Sequence, residues 1–264
     1  AFQRAGASGP SQGPHAPPSP LRLSLAAGRD VQLRRGDTFA LEATLSHSAS
    51  VGALDFHPLQ SLLLSGADDG RALLWDVNER AALRALSCGG QVTGCHFFGA
   101  EDFYQYLLAT ASLDGAIGVW DIRSPTQVHR EDCGVGLGGV DCHAALHLLC
   151  AAAADGTVRC WDLRVWRELR RLDLKPLLGA RAHARSLSAS PCGSFLAAGC
   201  RDGELAVFDL RRQCRAFVVA HHTDTISALA WGGRANWAPT PHFLACASLD
   251  CSWSCWAHSG RRIV

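Results

Sequence analysis

Three groups of residues have the types and spacing that chemistry uses. The first is His47, Ser65 and Asp69, with Trp75 close behind. A histidine, a serine and a carboxylate can activate a hydroxyl for acyl transfer. The doubled acid Asp68–Asp69 beside Gly70 also fits a metal loop or an acid/base pair. The second group is Cys246, Cys251 and Cys255 with His222, thiolate and imidazole donors of the kind that hold zinc. Structural zinc sites space their cysteine pairs more tightly than this. The third is GVGLGG at 134–139, which is glycine-rich but leads into a strand pattern with no lysine in the P-loop position, so it reads as a loop and strand entry.

The elements that must position these residues come from a repeat. DGRALLWD (69–76) recurs as DGAIGVWD (114–121), DGTVRCWD (155–162), DGELAVFD (202–209) and DCSWSCWA (250–257). The leading residues Asp69, Asp114, Asp155, Asp202 and Asp250 are spaced 45, 41, 47 and 48 positions apart. A period in the forties that ends in Trp-Asp indicates four-stranded propeller blades. Six residues before each Asp stands a leucine: Leu63, Leu108, Leu149, Leu196 and Leu244. Inside the eight-mer, apolar residues alternate with mostly polar or small ones, the period of a strand with one buried face. Asp-Gly between two such strands predicts a tight hairpin, because glycine accepts positive φ; Cys251 breaks that rule and predicts a less favourable turn.

A further strand precedes each hairpin (VGALDFHP at 51–58, ISALAW at 226–231), and a fourth follows each Trp-Asp (AALRAL at 81–86, WRELRRL at 166–172, CRAFVV at 214–219). A weaker trace at 25–45 resembles the second half of a blade without its Trp-Asp. The expected organisation is a disordered Pro/Gly/Ser-rich segment at 1–20, then a propeller over 21–264. That propeller divides into a partial blade at 21–46 and repeats at about 47–87, 88–132, 133–175, 176–220 and 221–264.

Composition narrows the class. The chain has 264 residues, 48% of them apolar, and a formal charge of +1, which predicts no strong attraction to nucleic acid or anionic membranes. Neither a membrane-length apolar run nor a signal-peptide plan is present. The 12 cysteines form no C-x-x-C and mostly fall in strand patterns, so they read as reduced core residues of an intracellular protein, in cytoplasm or nucleus. Methionine is absent, and the expectation is a trimmed or incomplete product.

These repeats resemble the WD-repeat family of β-propellers, including the β-subunits of heterotrimeric G proteins, over about residues 25–264. The resemblance implies an all-β propeller: five recognisable blades plus a partial N-terminal one, an incomplete version of the usual seven. It implies that His47, Ser65, Asp69 and Trp75 are a structural hydrogen-bond chain, Trp to Ser to His to Asp, and not a catalytic set. The slots matching His47 hold Cys88, Cys133, Ala180 and His222. Those matching Ser65 hold Thr110, Ala151, Ala198 and Cys246, and Phe208 replaces one Trp, so the first repeat alone is expected to carry the full set. Loss of Asp69 is expected to cost about 1–3 kcal/mol by leaving buried donors unpaired.

Propellers bind through their loop rims, and the fold by itself assigns no partner. The residues just before the turn aspartates are Asp68, Leu113, Ala154, Arg201 and Leu249. Asp68, Leu113, Arg201 and Leu249 are candidate contacts. At the other rim Arg123, Arg164 and Arg211 follow the Trp-Asp or Phe-Asp at one equivalent position, where they would suit an acidic protein surface. The W-D-x-R boxes also resemble those of substrate receptors of cullin-4 ubiquitin ligases. Long connections at 98–106 and 232–242 add Phe103, Tyr104 and Trp237 as candidate anchors. The expected function is a non-catalytic scaffold for other proteins, with no cofactor, no specific nucleic acid and no membrane insertion; a hydrolase using Ser65, His47 and Asp69 is the competing class.

Overall fold

The computed structural model describes residues 2–3, 22–99, 104–124, 126–143, 146–179, 182–212, 214–232, 243–257, 260 and 262–263. Among these the regular structure is antiparallel strand apart from one short helix. The chain divides into two compact units, residues 1–132 and 133–264, each holding three sheets.

In the first unit, the first sheet is β1 (Phe2–Gln3), β2 (Arg22–Ala27), β3 (Asp30–Arg35) and β4 (Leu41–Ser46). The second is β5 (Val51–Phe56), β6 (Leu62–Ala67), β7 (Arg71–Asp76) and β8 (Ala81–Ser87). The third is β9 (Val92–Phe97), β10 (Leu107–Ser112), β11 (Ala116–Asp121) and β12 (Gln127–Asp132). In the second unit, the fourth sheet is β13 (Leu137–His143), β14 (Leu148–Ala153), β15 (Thr157–Asp162) and β16 (Arg167–Asp173), followed by helix α1 (Lys175–Leu178). The fifth is β17 (Ala184–Ala189), β18 (Phe195–Cys200), β19 (Glu204–Asp209) and β20 (Cys214–Ala220). The sixth has three strands, β21 (Ile226–Gly232), β22 (Phe243–Ser248) and β23 (Trp253–Ala257).

The sheets are β-propeller blades, six of them among the described residues, which corrects the expectation of five and a fragment. The presumed fragment is a full four-stranded sheet, because Phe2–Gln3 pairs with Leu23 and Arg22 along the otherwise open edge of β2. The other residues of the 1–20 segment lie outside the described ones. Arginine-rich β16 is a strand, with residues alternating exposed and half-buried along its length.

In the second to fifth sheets the second and third strands are buried on most of their residues, and adjacent sheets of a unit bury apolar faces against each other. Leu62, Leu64, Ala72 and Leu74 of the second sheet pack on Val92, Phe97, Leu108 and Trp120 of the third. Cys150, Val158 and Cys160 of the fourth pack on Leu187, Leu196 and Phe208 of the fifth. Two carboxylates add polar pins between neighbours: Asp55 accepts from Phe97 N at 2.8 Å, and Asp141 from Ala189 N at 2.7 Å. The tight turn between second and third strands holds glycine at positive φ in four repeats; in the sixth sheet Cys251 takes that conformation, at φ 64°.

Candidate functional site

The hydrogen-bond chain expected within each repeat forms to different extents. In the second sheet Trp75 Nε1 donates to Ser65 Oγ at 2.7 Å, and His47 Nε2 lies 2.6 Å from the same oxygen. Ser65 is fully buried in mid-strand, so its hydroxyl does not face solvent. The last link is missing: His47 Nδ1 is buried with no hydrogen-bond partner. Asp69 is instead exposed, accepting from Ser48 Oγ and from Arg71 N at 3.1 Å. Burial pulls the His47 pKa below its ordinary value, against the opposing field of Asp69, so the ring stays neutral. Burial works to raise the Asp69 carboxyl, but the bonds from Ser48 and Arg71 outweigh it and the net shift is downward. Asp69 therefore holds the turn and satisfies no buried donor, which corrects the cost expected for its loss.

The complete chain lies in the sixth sheet, contrary to the expectation that the first repeat alone carries it. Trp256 Nε1 donates to Ser254 Oγ at 2.8 Å, and Ser254 Oγ lies 2.8 Å from His222 Nε2. His222 Nδ1 is 3.2 Å from Asp250 Oδ2 and 2.9 Å from Ser252 Oγ. The Asp250 carboxylate can only accept, so His222 Nδ1 carries a proton and donates towards it, and with the ring proton on Nδ1 the facing Nε2 accepts from Ser254 Oγ. Bonds from Ser252 Oγ and from Thr223 N hold the Asp250 carboxyl well below the usual carboxylate range. The hydroxyl has changed strands: Cys246 occupies the usual serine slot on β22, and Ser254 is its direct cross-strand partner on β23. Sequence reasoning scanned one slot and missed its partner, two residues before the Trp. That slot holds Leu73, Gly118, Arg159 and Ala206 in the other repeats, and a serine there was the available signal.

The remaining sheets use substitutes. In the third, Trp120 Nε1 donates to Thr110 Oγ1 at 3.0 Å, and Cys88 Sγ stands 3.5 Å from the same oxygen in place of the histidine. Asp114 there caps its turn, accepting from Ser112 Oγ and from Ala116 N at 3.2 Å. In the fourth, Arg159 lies directly across from Ala151 and is buried; it donates to Cys133 O at 2.9 Å and to Asp155 Oδ2 at 3.1 Å. Trp161 Nε1 is left buried without a partner. The fifth sheet is apolar at all three inner slots, with Ala198, Ala206 and Phe208, and its Asp202 is exposed at the turn.

The turns between second and third strands show a regular division of labour. Asp68, Leu113, Ala154, Arg201 and Leu249 each donate the backbone N–H to the carbonyl of the residue immediately before the first strand, namely Ser50, Gln91, Gly136, His183 and Thr225, at 2.8–3.0 Å. The backbone role is constant, while the five side chains are all exposed and range from acidic through apolar to basic. Leu113 is 54% and Leu249 61% exposed. Asp68 Oδ1 accepts from Gln91 Nε2 at 2.6 Å.

At the opposite ends, the arginines bond to their own boxes. Arg123 forks onto Asp121 at 3.0 and 2.7 Å and lies 4.0 Å over the Tyr106 ring; Arg164 forks onto Asp162 at 3.0 and 2.5 Å. These bonds lower the Asp121 pKa and bring that of Asp162 down to about 2. Arg211 is exposed, with its N–H on Asp209 at 2.9 Å. Tyr104 is buried against Phe98, which corrects its assignment as a surface anchor. Phe103 and Trp237 lie outside the described residues.

Among the described residues, no group of three or more His, Cys, Asp or Glu is placed to hold a metal. Of the zinc candidates, Cys251 is exposed, Cys246 is buried, and both His222 nitrogens are engaged. The described cysteines are free thiols, and burial raises the thiol pKa of Cys200 and Cys246 to about 12, the chemistry of inert core residues.

Two family profiles match this chain. One, described as WD domain, G-beta repeat, covers residues 39–76, the second sheet with its approach. The other, described as Nucleolar protein 10-like, N-terminal domain, covers residues 133–238, most of the second unit. A search of the curated proteins gives no match.

Proposed function

Because the chain is built of WD-repeat β-propeller blades, we propose that it is a non-catalytic scaffold that binds other proteins through the turns at the ends of its sheets. The observation that carries this is the turn position just before Asp69 and its counterparts. The fold uses only its backbone there, and two of the five side chains are large, exposed leucines. An exposed leucine at a rigid, backbone-anchored position costs hydration and returns it when a partner covers it.

The test is capture of partners by the wild-type chain and by the double variant Leu113→Asp plus Leu249→Asp. The proposal expects specific partners to be lost in the variant while its unfolding midpoint stays within about 0.5 kcal/mol of wild type, as for surface substitutions. An identical set of partners with both chains would contradict it. The competing hydrolase draws no support from Ser65, which is buried and already bonded on both sides. Hydrolysis of an activated ester by the wild-type chain, lost in Ser65→Ala, would revive it.

Docking of an acidic partner on Arg123, Arg164 and Arg211 is a narrower form of the same reading. A partner carboxylate would have to displace Asp121 and Asp162 from two of those arginines. The ligase-receptor alternative rests on the same two boxes and gains nothing from their geometry. No helix among the described residues is long and apolar enough to cross a membrane. The likeness to a family described by a nucleolar protein supports an intracellular, nuclear setting, which imaging of a tagged chain would test.

A further inference from the structure

Two slots of each repeat meet at the second–third strand turns. One is the residue just before the turn aspartate. The other lies on the first strand, where the pairing with the second strand slips and leaves one residue with no opposite number. That bulge residue is Gly52, Thr93, Gly138, Arg185 and Ser227 in the second to sixth sheets. In each case it stands two residues past the carbonyl that accepts from the first slot. A bulge re-aims its side chain, and bulges are common beside functional sites. Among these five sheets only the fifth puts a charge at the bulge, and only the fifth puts a base at the other slot, Arg201.

The backbone brings the two arginines together. Arg201 N donates to His183 O at 3.0 Å and Cys200 pairs with Ala184, so Arg185 and Arg201 are diagonal neighbours across the two strands. The bulge of the fourth sheet nests against that of the fifth, and a Cβ on Gly138 would stand 2.7 Å from Arg185 Cα. Ser186 Oγ ties the other side, donating to Ile226 O at 2.9 Å. The Arg185 side chain is half-buried, and its Nη1 donates to Gly138 O at 2.6 Å. Among the described residues neither arginine is paired with a carboxylate. Burial and the charge of Arg201 both pull the Arg185 pKa below its ordinary value. Arginine keeps its charge regardless, so the fifth sheet holds a half-buried cation with a like charge as neighbour and no counter-ion.

We propose that Arg185 and Arg201 form a carboxylate-binding site, filled by an acidic side chain of a protein partner. This site rests on the reading that partners dock on the second–third strand turns, and it names the chemistry they bring. Guanidinium forks suit a planar oxyanion. Asp202 and Asp224 are exposed on the adjoining turns and would repel the second charge of a phosphate group, so the single charge of a carboxylate fits better. The neighbouring turn favours a protein as its source. Thr225 Oγ1 donates to Arg201 O at 2.9 Å and Leu249 N donates to Thr225 O at 2.9 Å, which links the exposed leucine to the arginine pair. The matching contact is an acidic residue with an apolar neighbour.

Titration of the isotope-labelled 264-residue chain at constant ionic strength, followed through the amide signals of residues 184–186 and 201, provides the test. The probes are acetyl-Glu-Leu-amide, acetyl-Gln-Leu-amide, acetate and inorganic phosphate. Saturable shifts with the Glu peptide are expected, with affinity about tenfold weaker in Arg185→Gln. Should Arg185→Gln lose its fold, Arg201→Gln at the exposed slot carries the same expectation. A Glu peptide that binds no better than its Gln counterpart overturns the proposal. So does phosphate saturating these signals where the Glu peptide does not, or acetate binding as tightly as the Glu peptide. The titrations use no captured partner and leave Leu113 untouched, so this site and the turn reading fail separately.

Discussion

Ser254 shows how a hydrogen-bond chain can survive the loss of one of its members. With cysteine at 246, the hydroxyl that links Trp256 to His222 comes from the facing strand. Ser254→Ala should leave two buried nitrogens short of a partner and cost about 1–3 kcal/mol, read from the denaturant midpoint. Adding Cys246→Ser to that variant should recover part of the loss, by restoring the arrangement of Ser65 with Trp75. No recovery would mean that the two positions are not interchangeable. Cys251 offers the opposite kind of change. It sits at φ 64°, where the matching residue in the other four repeats is glycine, so Cys251→Gly should stabilise by about 1 kcal/mol. The residue types of the chain were legible from the motif, and so was the weak turn at Cys251. The strand that supplies the hydroxyl was not, because a serine among alternating residues signals only a polar position until its cross-strand neighbour is known.

Within the second sheet, two buried histidines set a pH response. Burial lowers the pKa of both His47 and His57. Below the ordinary histidine value of about 6.5 the unfolded chain takes up protons that the folded sheet refuses, so stability is present above that pH and is lost as pH falls towards the folded values. The unfolding midpoint should drop between pH 7 and pH 5, and His47→Asn should flatten that slope. A slope unchanged by the substitution would show that His47 is not one of the responsible groups. Sheet count was only partly legible at this scale. Five repeats announced themselves through Trp-Asp and Asp-Gly, because both ends of a hairpin carry specific backbone demands. The first sheet has neither mark, and its first strand is two residues of a segment whose composition reads as disordered. Pairing along an open edge, which composition does not encode, decides that strand.

For the molecule as a whole, the proposed scaffold reading leaves the chemistry of the apparent sites to the fold and assigns binding to the turns. Asp68 and Asp69 separate on that ground. Asp69 caps a turn through Arg71 N, while Asp68 contributes its backbone to the turn and its carboxylate to Gln91 at the surface. Asp69→Ala should accordingly cost less than Asp250→Ala, since Asp250 alone of the two faces a buried histidine. The claim that this is a binding protein working through its second–third strand turns is tested most directly by hydrogen exchange on a captured complex. Slowed exchange at the turns carrying Leu113 and Leu249, with unchanged exchange in the strands behind them, is the predicted result. Protection confined to the third–fourth strand turns of Arg123 and Arg164, with the leucine turns exchanging as in the free chain, would contradict it.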